Sequence, residues 1–346
     1  MKLCLAFFTL VAVAVAVGCD PDHGFGPNPQ GGGDDGGSGG GDPCARAVSP
    51  LMIALSPQSV RDVAATFSGV YWTTWGADGS GNGGMIVSAT TNGGDATVLV
   101  SGETQPQQIA ADTQNLYWLD AGQGLRALPL RAGSQPYTIV APAEAGPFGF
   151  AVDDTNAYYT TASGVWRVSL AGGAPTKLAA DTPDAAIAVD QTYVYWVDHT
   201  PGQLQRVAKT GGGVTLLAKD DMSFGSTGAG GLLADGTNAY WLSTGEGVIW
   251  SMPSAGGPAT QFVGGLLCPA WLRSWGAELL FADDATSCPA NMGGGDSGQR
   301  AIGAAGPVGG KWTRVTNGTF SFGGAFGAWG AAVYWGDQHG VYCAGQ

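Results

Sequence analysis

One aromatic pair recurs through most of this chain, and its period limits what the chain can fold into. The copies are Tyr71-Trp72, Tyr117-Trp118, Tyr158-Tyr159, Tyr195-Trp196, Tyr240-Trp241, a degenerate Leu280-Phe281, and Tyr334-Trp335. They lie 46, 41, 37, 45, 40 and 54 residues apart, a mean of about 44. Self-similarity at such a period marks stacked units, each burying its apolar face on its neighbours. Other features keep the same phase. A short apolar strand ending in an Asp turn precedes four of the pairs: IAADTQNLYW, FAVDDTNAYY, IAVDQTYVYW and LLADGTNAYW, with Asp112, Asp153, Asp190 and Asp235 equivalent. An Asp there accepts hydrogen bonds from the backbone N–H groups of its own turn. Three residues after the first member of each pair stands a small polar residue: Thr74, Asp120, Thr161, Asp198, Ser243, Asp283 or Asp337. A third strand follows, such as GVWRVSL or QLQRVAK, and then a glycine-rich turn at Gly93-Gly94, Gly172-Gly173, Gly211-Gly212, Gly256-Gly257 or Gly309-Gly310. Glycine tolerates the positive φ of tight hairpins. A fourth strand such as TKLAA or VTLLA completes the unit.

Four short strands per repeat of about 44 residues describe a blade of an all-β propeller. The repeats resemble the YWTD-type, TolB-like and NHL-like propeller families, from about residue 50 to the end of the chain. YWTD-type propellers have six blades, whereas seven copies are counted here; six blades remain open if the sixth copy is an insertion. The last copy has strands at AFGAWG, AVYWGD and GVYCA and lacks a fourth, while an unassigned apolar stretch, Leu51 to Leu55, precedes the first copy. That stretch is expected to complete the last blade, closing the ring and removing exposed edges.

Composition agrees. Glycine supplies 60 of 346 residues and charged residues only 12%, which excludes a long helical protein. Twelve Trp, 10 Tyr and 12 Phe exclude a wholly solvated chain. The formal charge is 14 − 27 = −13, so nucleic acid is not an expected partner.

The N-terminus indicates export. An uncharged apolar run from Leu3 to Val17 follows Lys2 and is too short to span a bilayer, as in a signal peptide over residues 1–18. Its end, Ala16-Val17-Gly18-Cys19, resembles the bacterial lipobox, with Ala16 in place of the usual leucine. The resemblance implies cleavage after Gly18 and a lipid on Cys19, which anchors a protein without spanning the membrane. Residues 20–43 hold ten glycines and five aspartates, so 19–43 reads as a flexible tether and 44–346 as the propeller. The expected address is the bacterial envelope, at the outer membrane or cell surface rather than the inner membrane, and a monomer is expected.

Cys4 falls in the signal and Cys19 is the lipid site, leaving Cys44, Cys268, Cys288 and Cys343. Three pairings exist, and topology favours Cys44–Cys343 and Cys268–Cys288. The first closes a loop of about 300 residues, worth roughly 4–5 kcal/mol in the chain-entropy description. The absence of a CxxC spacing argues against zinc.

Catalytic motifs are scarce. There is no G-x-S-x-G elbow, no HExxH and no phosphate-binding glycine loop. The body has two histidines, His199 and His339, both in loops after the aromatic pair. Acidic residues are more informative. Connections between strands two and three, and from strand four to the next blade, share one face, and 15 of the body's 22 acids map there. That face is the expected binding surface, with Asp78, Asp198, His199, Asp220, Asp221, Asp284, Asp296, Asp337 and His339 as its candidate residues, set against a merely solvated face. The loop Asp78 to Asn82 suggests calcium but lacks the ligand series of an EF-hand, so no cofactor is assigned. Trp75 begins a loop and is expected to be exposed. The readings are therefore a non-catalytic propeller binding an envelope protein or glycan, a metal-assisted lyase or hydrolase, or an assembly factor of the envelope.

Overall fold

The computed structural model describes residues 43–44, 50–76, 82–142, 149–181, 183, 186–198, 202–219, 231–284, 300–316 and 326–345. Strand β1 is Leu51–Leu55. Blade 1 is β2 (Val60–Thr66), β3 (Gly69–Thr74), β4 (Gly84–Ala89) and β5 (Thr97–Glu103); blade 2 is β6 (Pro106–Ala111), β7 (Asn115–Asp120), β8 (Gly124–Pro129) and β9 (Tyr137–Val140). Blade 3 is β10 (Phe150–Val152), β11 (Asn156–Thr161), β12 (Gly164–Ser169) and β13 (Thr176–Ala179); blade 4 is β14 (Ile187–Val189), β15 (Tyr193–Asp198), β16 (Gln203–Ala208) and β17 (Thr215–Lys219). Blade 5 is β18 (Leu232–Ala234), β19 (Asn238–Ser243), β20 (Val248–Pro253) and β21 (Thr260–Val263); blade 6 is β22 (Pro269–Trp275), β23 (Glu278–Asp284), β24 (Arg300–Ala305) and β25 (Trp312–Arg314). Blade 7 runs β26 (Phe326–Trp329), β27 (Ala332–Gly336), β28 (Gly340–Gly345) and then β1.

The chain is thus a seven-bladed β-propeller of four-stranded antiparallel sheets, and the sixth copy is a full blade. The innermost strands touch in the cyclic order β2, β6, β10, β14, β18, β22, β26 and back to β2. Closure follows the expected route. β1 pairs with β28, Leu51 opposite Cys343 and Leu55 opposite Gly340. Cys44 is bonded to Cys343 across 299 residues of chain. Cys268 is also disulfide-bonded; Cys288, its expected partner, lies outside the described residues.

The core is divided into seven apolar slices, one per blade junction. The aromatic pair builds them because successive strand residues face opposite sides. In blade 2, Trp118 packs towards blade 1 and Tyr117 towards blade 3. Blade 4 repeats this with Trp196 and Tyr195. Trp72, Trp118, Trp196, Trp241 and Trp335 are all fully buried.

Glycine permits the sharpest turns and the tightest seam. Gly172 and Gly173, between β12 and β13, have φ of 90° and 120°, where side-chain-bearing residues are strained. Gly327 in β26 lies so close to β2 that a Cβ would sit 3.0 Å from the Val63 carbonyl oxygen and 3.1 Å from the Ala65 nitrogen. A bare backbone there brings the last inner strand against the first.

Candidate functional site

Antiparallel blades give the ring two faces. First-to-second and third-to-fourth strand turns define a turn face; second-to-third and inter-blade connections define a loop face. Of the expected binding residues, Asp198, Asp284, Asp337 and His339 belong to the loop face. Asp78, His199, Asp220, Asp221 and Asp296 lie outside the described residues. Asp284 ends β23 in register with Arg300. Asp198 ends β15 opposite Gln203 and is buried. Asp337 is buried in the turn between β27 and β28, where one carboxylate oxygen accepts from the His339 and Gly340 N–H groups at 2.6 and 3.0 Å. The exposed His339 imidazole places Nδ1 3.5 Å from the other Asp337 oxygen.

Most described acids of this face serve the loops themselves. Asp62, Glu103, Asp120, Asp198, Asp283 and Asp337 are all buried. One Asp120 oxygen accepts from the Gly122 and Gln123 N–H groups of its own turn, and the other from Thr104 and Gln105 in the connection from blade 1. Asp283 does the same for the Leu267 and Cys268 N–H groups. Glu103 accepts from Trp118 Nε1 at 2.6 Å and from Arg126 at 2.5 Å; burial still pushes its carboxyl above the ordinary range. These carboxylates fix loop geometry rather than present charge to solvent.

Asp62 stitches the innermost strands. It sits at a bulge in β2 and accepts from Val63 N–H at 2.8 Å and from Ile109 N–H of β6 at 3.0 Å. Arg273 of β22 lies 3.5 Å away on its other side. Burial raises the Asp62 carboxyl to about 6, outweighing the opposing pull of Arg273 and the backbone donors. The equivalent residue of blade 2, Gln108, donates to the Phe150 carbonyl and accepts from its N–H, joining β6 to β10. Trp75 departs from expectation: it is half-buried, with the Arg61 guanidinium 3.2 Å over its ring. The planar cation covers an aromatic face that the loop alone would leave wet.

The turn face carries a second repeated device. Asp112, Asp153, Asp190 and Asp235 each accept two backbone N–H groups of their own turn through one oxygen, as the sequence implies. The other oxygen accepts the hydroxyl of the pair's tyrosine, at 2.9 Å for Tyr117, 2.8 Å for Tyr158, 2.6 Å for Tyr195 and 2.9 Å for Tyr240. Burial, reinforced by the neighbouring carboxylate, pushes these phenols above their usual range.

Two neighbouring junctions elaborate this device differently. Between blades 3 and 4, Lys209 Nζ lies 2.8 Å from Asp153 Oδ2, and Arg167 donates to the Lys209 carbonyl at 2.7 Å. Burial alone would raise the Asp153 carboxyl, but Lys209, the Thr155 and Asn156 N–H groups and Tyr158 together hold it down at about 2. Between blades 4 and 5, Ser254 occupies the backbone position of Lys209; each donates its N–H to the corresponding turn carbonyl, of Thr237 and Thr192 respectively. Arg206 occupies the position of Arg167, opposite the pair's tyrosine. Its guanidinium lies 4.1 Å from the centre of the Tyr193 ring. A pocket of about 280 Å³ opens here, lined by Asp190, Gln191, Thr192, Tyr193, Arg206, Gly236, Ser254 and Ala255.

Sequence reasoning did not single out Tyr193, Arg206 or Ser254. A signal was present in the aligned segments, because Tyr193 stands where the other three repeats carry Asn115, Asn156 and Asn238.

Among the described residues no group of three or more His, Cys, Asp or Glu side chains is placed to hold a metal ion. No family model matches the chain, and no curated protein does. Solved structures resemble it in shape. Streptogramin B lyase is 12% identical, with 86% of this chain and 97% of that chain covered and a TM-score of 0.62. PorZ, an essential bacterial surface component of the type-IX secretion system of Porphyromonas gingivalis, is 14% identical over 84% of this chain, with a TM-score of 0.58. This chain spans 37% of the PorZ chain. At these identities the likeness is one of fold: both comparisons place the chain among the propellers.

Proposed function

We propose that the chain is an exported lipoprotein, anchored through lipid on Cys19, whose propeller binds an envelope protein or glycan on its loop face without catalysing a reaction. The observation that carries this reading is the position of Cys44. Its sulfur lies 3.4 Å from the carbonyl oxygen of Thr91, in the turn between β4 and β5, and so belongs to the turn face. An anchor leading to Cys44 therefore joins the propeller on its turn face and leaves the loop face clear of the point of attachment. The buried carboxylates that brace the loops give that face the rigidity a binding surface needs. The likeness to PorZ supports a second reading, an assembly role in the envelope. The likeness to streptogramin B lyase supports a third, a lyase.

Two measurements on the full-length chain test the proposal. Cys19→Ala is expected to move the protein from the membrane fraction to the soluble fraction. A photo-crosslinking residue at His339 is expected to trap an envelope partner, and one at Gln191 on the turn face is not. Trapping from Gln191 alone contradicts the reading.

A further inference from the structure

We propose that the pocket between blades 4 and 5 is a binding site for a small hydroxylated carboxylate, the size of a single acidic sugar. It lies on the turn face and stands independently of the loop-face partner.

Arg206 carries the inference. The residue is only 9% exposed, and its Nε and Nη1 are buried with no hydrogen-bond partner among the described residues. A guanidinium has donors only, and a buried cation without an acceptor is costly. The corresponding arginine of the preceding blade, Arg167, has an acceptor in the Lys209 carbonyl. Arg206 is instead stacked on Tyr193, so its ring-facing surface is satisfied while Nε and Nη1 find no acceptor among the described residues.

The wall opposite shows why that anion comes from outside. Asp190 shares the pocket, but one of its oxygens already accepts from the Thr192 and Tyr193 N–H groups and the other from Tyr195. Ser254 replaces the lysine that fills the equivalent space at the junction before, and Ala255 follows it. The nearby Asp190 charge favours a monoanion over a dianion such as phosphate. The exposed Thr192 hydroxyl and Gln191 amide supply polar partners for ligand hydroxyls. The volume lies near the lower end, roughly 300 Å³, of small-molecule sites, which fits one sugar rather than a chain. A carboxylate also matches the fork of a guanidinium.

The test is calorimetric titration of the full-length chain with galacturonate, with galactose and inorganic phosphate as comparison probes. Galacturonate is expected to bind at millimolar concentration, at least about tenfold more tightly than either. Ser254→Lys, which sets an ammonium where Lys209 stands one blade earlier, should abolish binding with the melting temperature retained. Arg206→Gln should weaken it at least about tenfold, and Arg167→Gln should leave it unchanged. No heat of binding from galacturonate overturns the proposal, as does a phosphate preference or undiminished binding by folded Ser254→Lys. Because Ser254→Lys copies a geometry the fold already contains, it remains informative even where Arg206→Gln fails to fold.

Discussion

Between blades 3 and 4 the chain fills a space that it leaves open between blades 4 and 5. Both junctions start from the same parts: an Asp turn, a tyrosine hydroxyl on the Asp, an arginine in the third strand, and a turn of the next blade closed by its own backbone hydrogen bond. Lys209 closes the first junction as a charged pair, and the arginine is used up on a carbonyl. Ser254 and Tyr193 convert the second into a pocket with a stacked arginine. A repeat fold can therefore open a pocket by changing side chains at one junction, with the strand ladder untouched.

The largest expected effect separates the two aspartates. Asp153→Ala removes four hydrogen-bond acceptances, from the Thr155 and Asn156 N–H groups and the Thr155 and Tyr158 hydroxyls, and leaves Lys209 without its carboxylate; it should cost about 3 kcal/mol in urea unfolding. Asp190→Ala loses three hydrogen bonds, without the exposed hydroxyl contact that Thr155 adds at Asp153, and strands no lysine; it should cost about 2 kcal/mol. Equal losses would mean that the ion pair adds nothing and the junctions are energetically alike.

Next comes Lys209→Met, expected to cost about 1–2 kcal/mol at neutral pH. Asp153 is held below its ordinary value, so its stabilisation is complete above about pH 4 and is lost as pH falls through about 2. The gap between wild type and variant should close over that interval in unfolding curves measured from pH 7 downwards. Asp62, raised to about 6, titrates in both proteins and cancels from the difference. A gap that persists at pH 2 would remove the ion pair from the explanation.

The smallest effect concerns the arginines. Arg167→Met leaves the Lys209 carbonyl without its donor and should cost about 1 kcal/mol. Arg206→Met removes a buried cation whose Nε and Nη1 make no hydrogen bond among the described residues, and it should be close to neutral or stabilising. Matching losses at the two positions, read from thermal unfolding without added carboxylate, would place an unseen acceptor beside Arg206.

The fold was legible because its determinants are local and repeated. Tyr117-Trp118 and its copies mark every second strand, Asp112 and its copies mark the turn before it, and Leu51 to Leu55 supplies the strand missing from the last blade. The site was much less so. A count of acids cannot distinguish a carboxylate in water from one that caps a neighbouring loop, and Asp120 and Asp283 are of the second kind. Arg206 reads as an ordinary strand residue. Its stacking on Tyr193 and its want of an acceptor appear only once the blades are packed together.

The sulfur bridge at Cys44 also has a mechanical meaning. A pull arriving along the N-terminal segment meets Cys44 before it meets β1. The bridge passes the load sideways into β28, a strand laddered on both edges, by β1 and by β27. With the bridge intact, the outermost strand is by-passed, and the ring must shear several hydrogen bonds at once. With it reduced, the same pull peels β1 one bond at a time, and the propeller opens at its own seam.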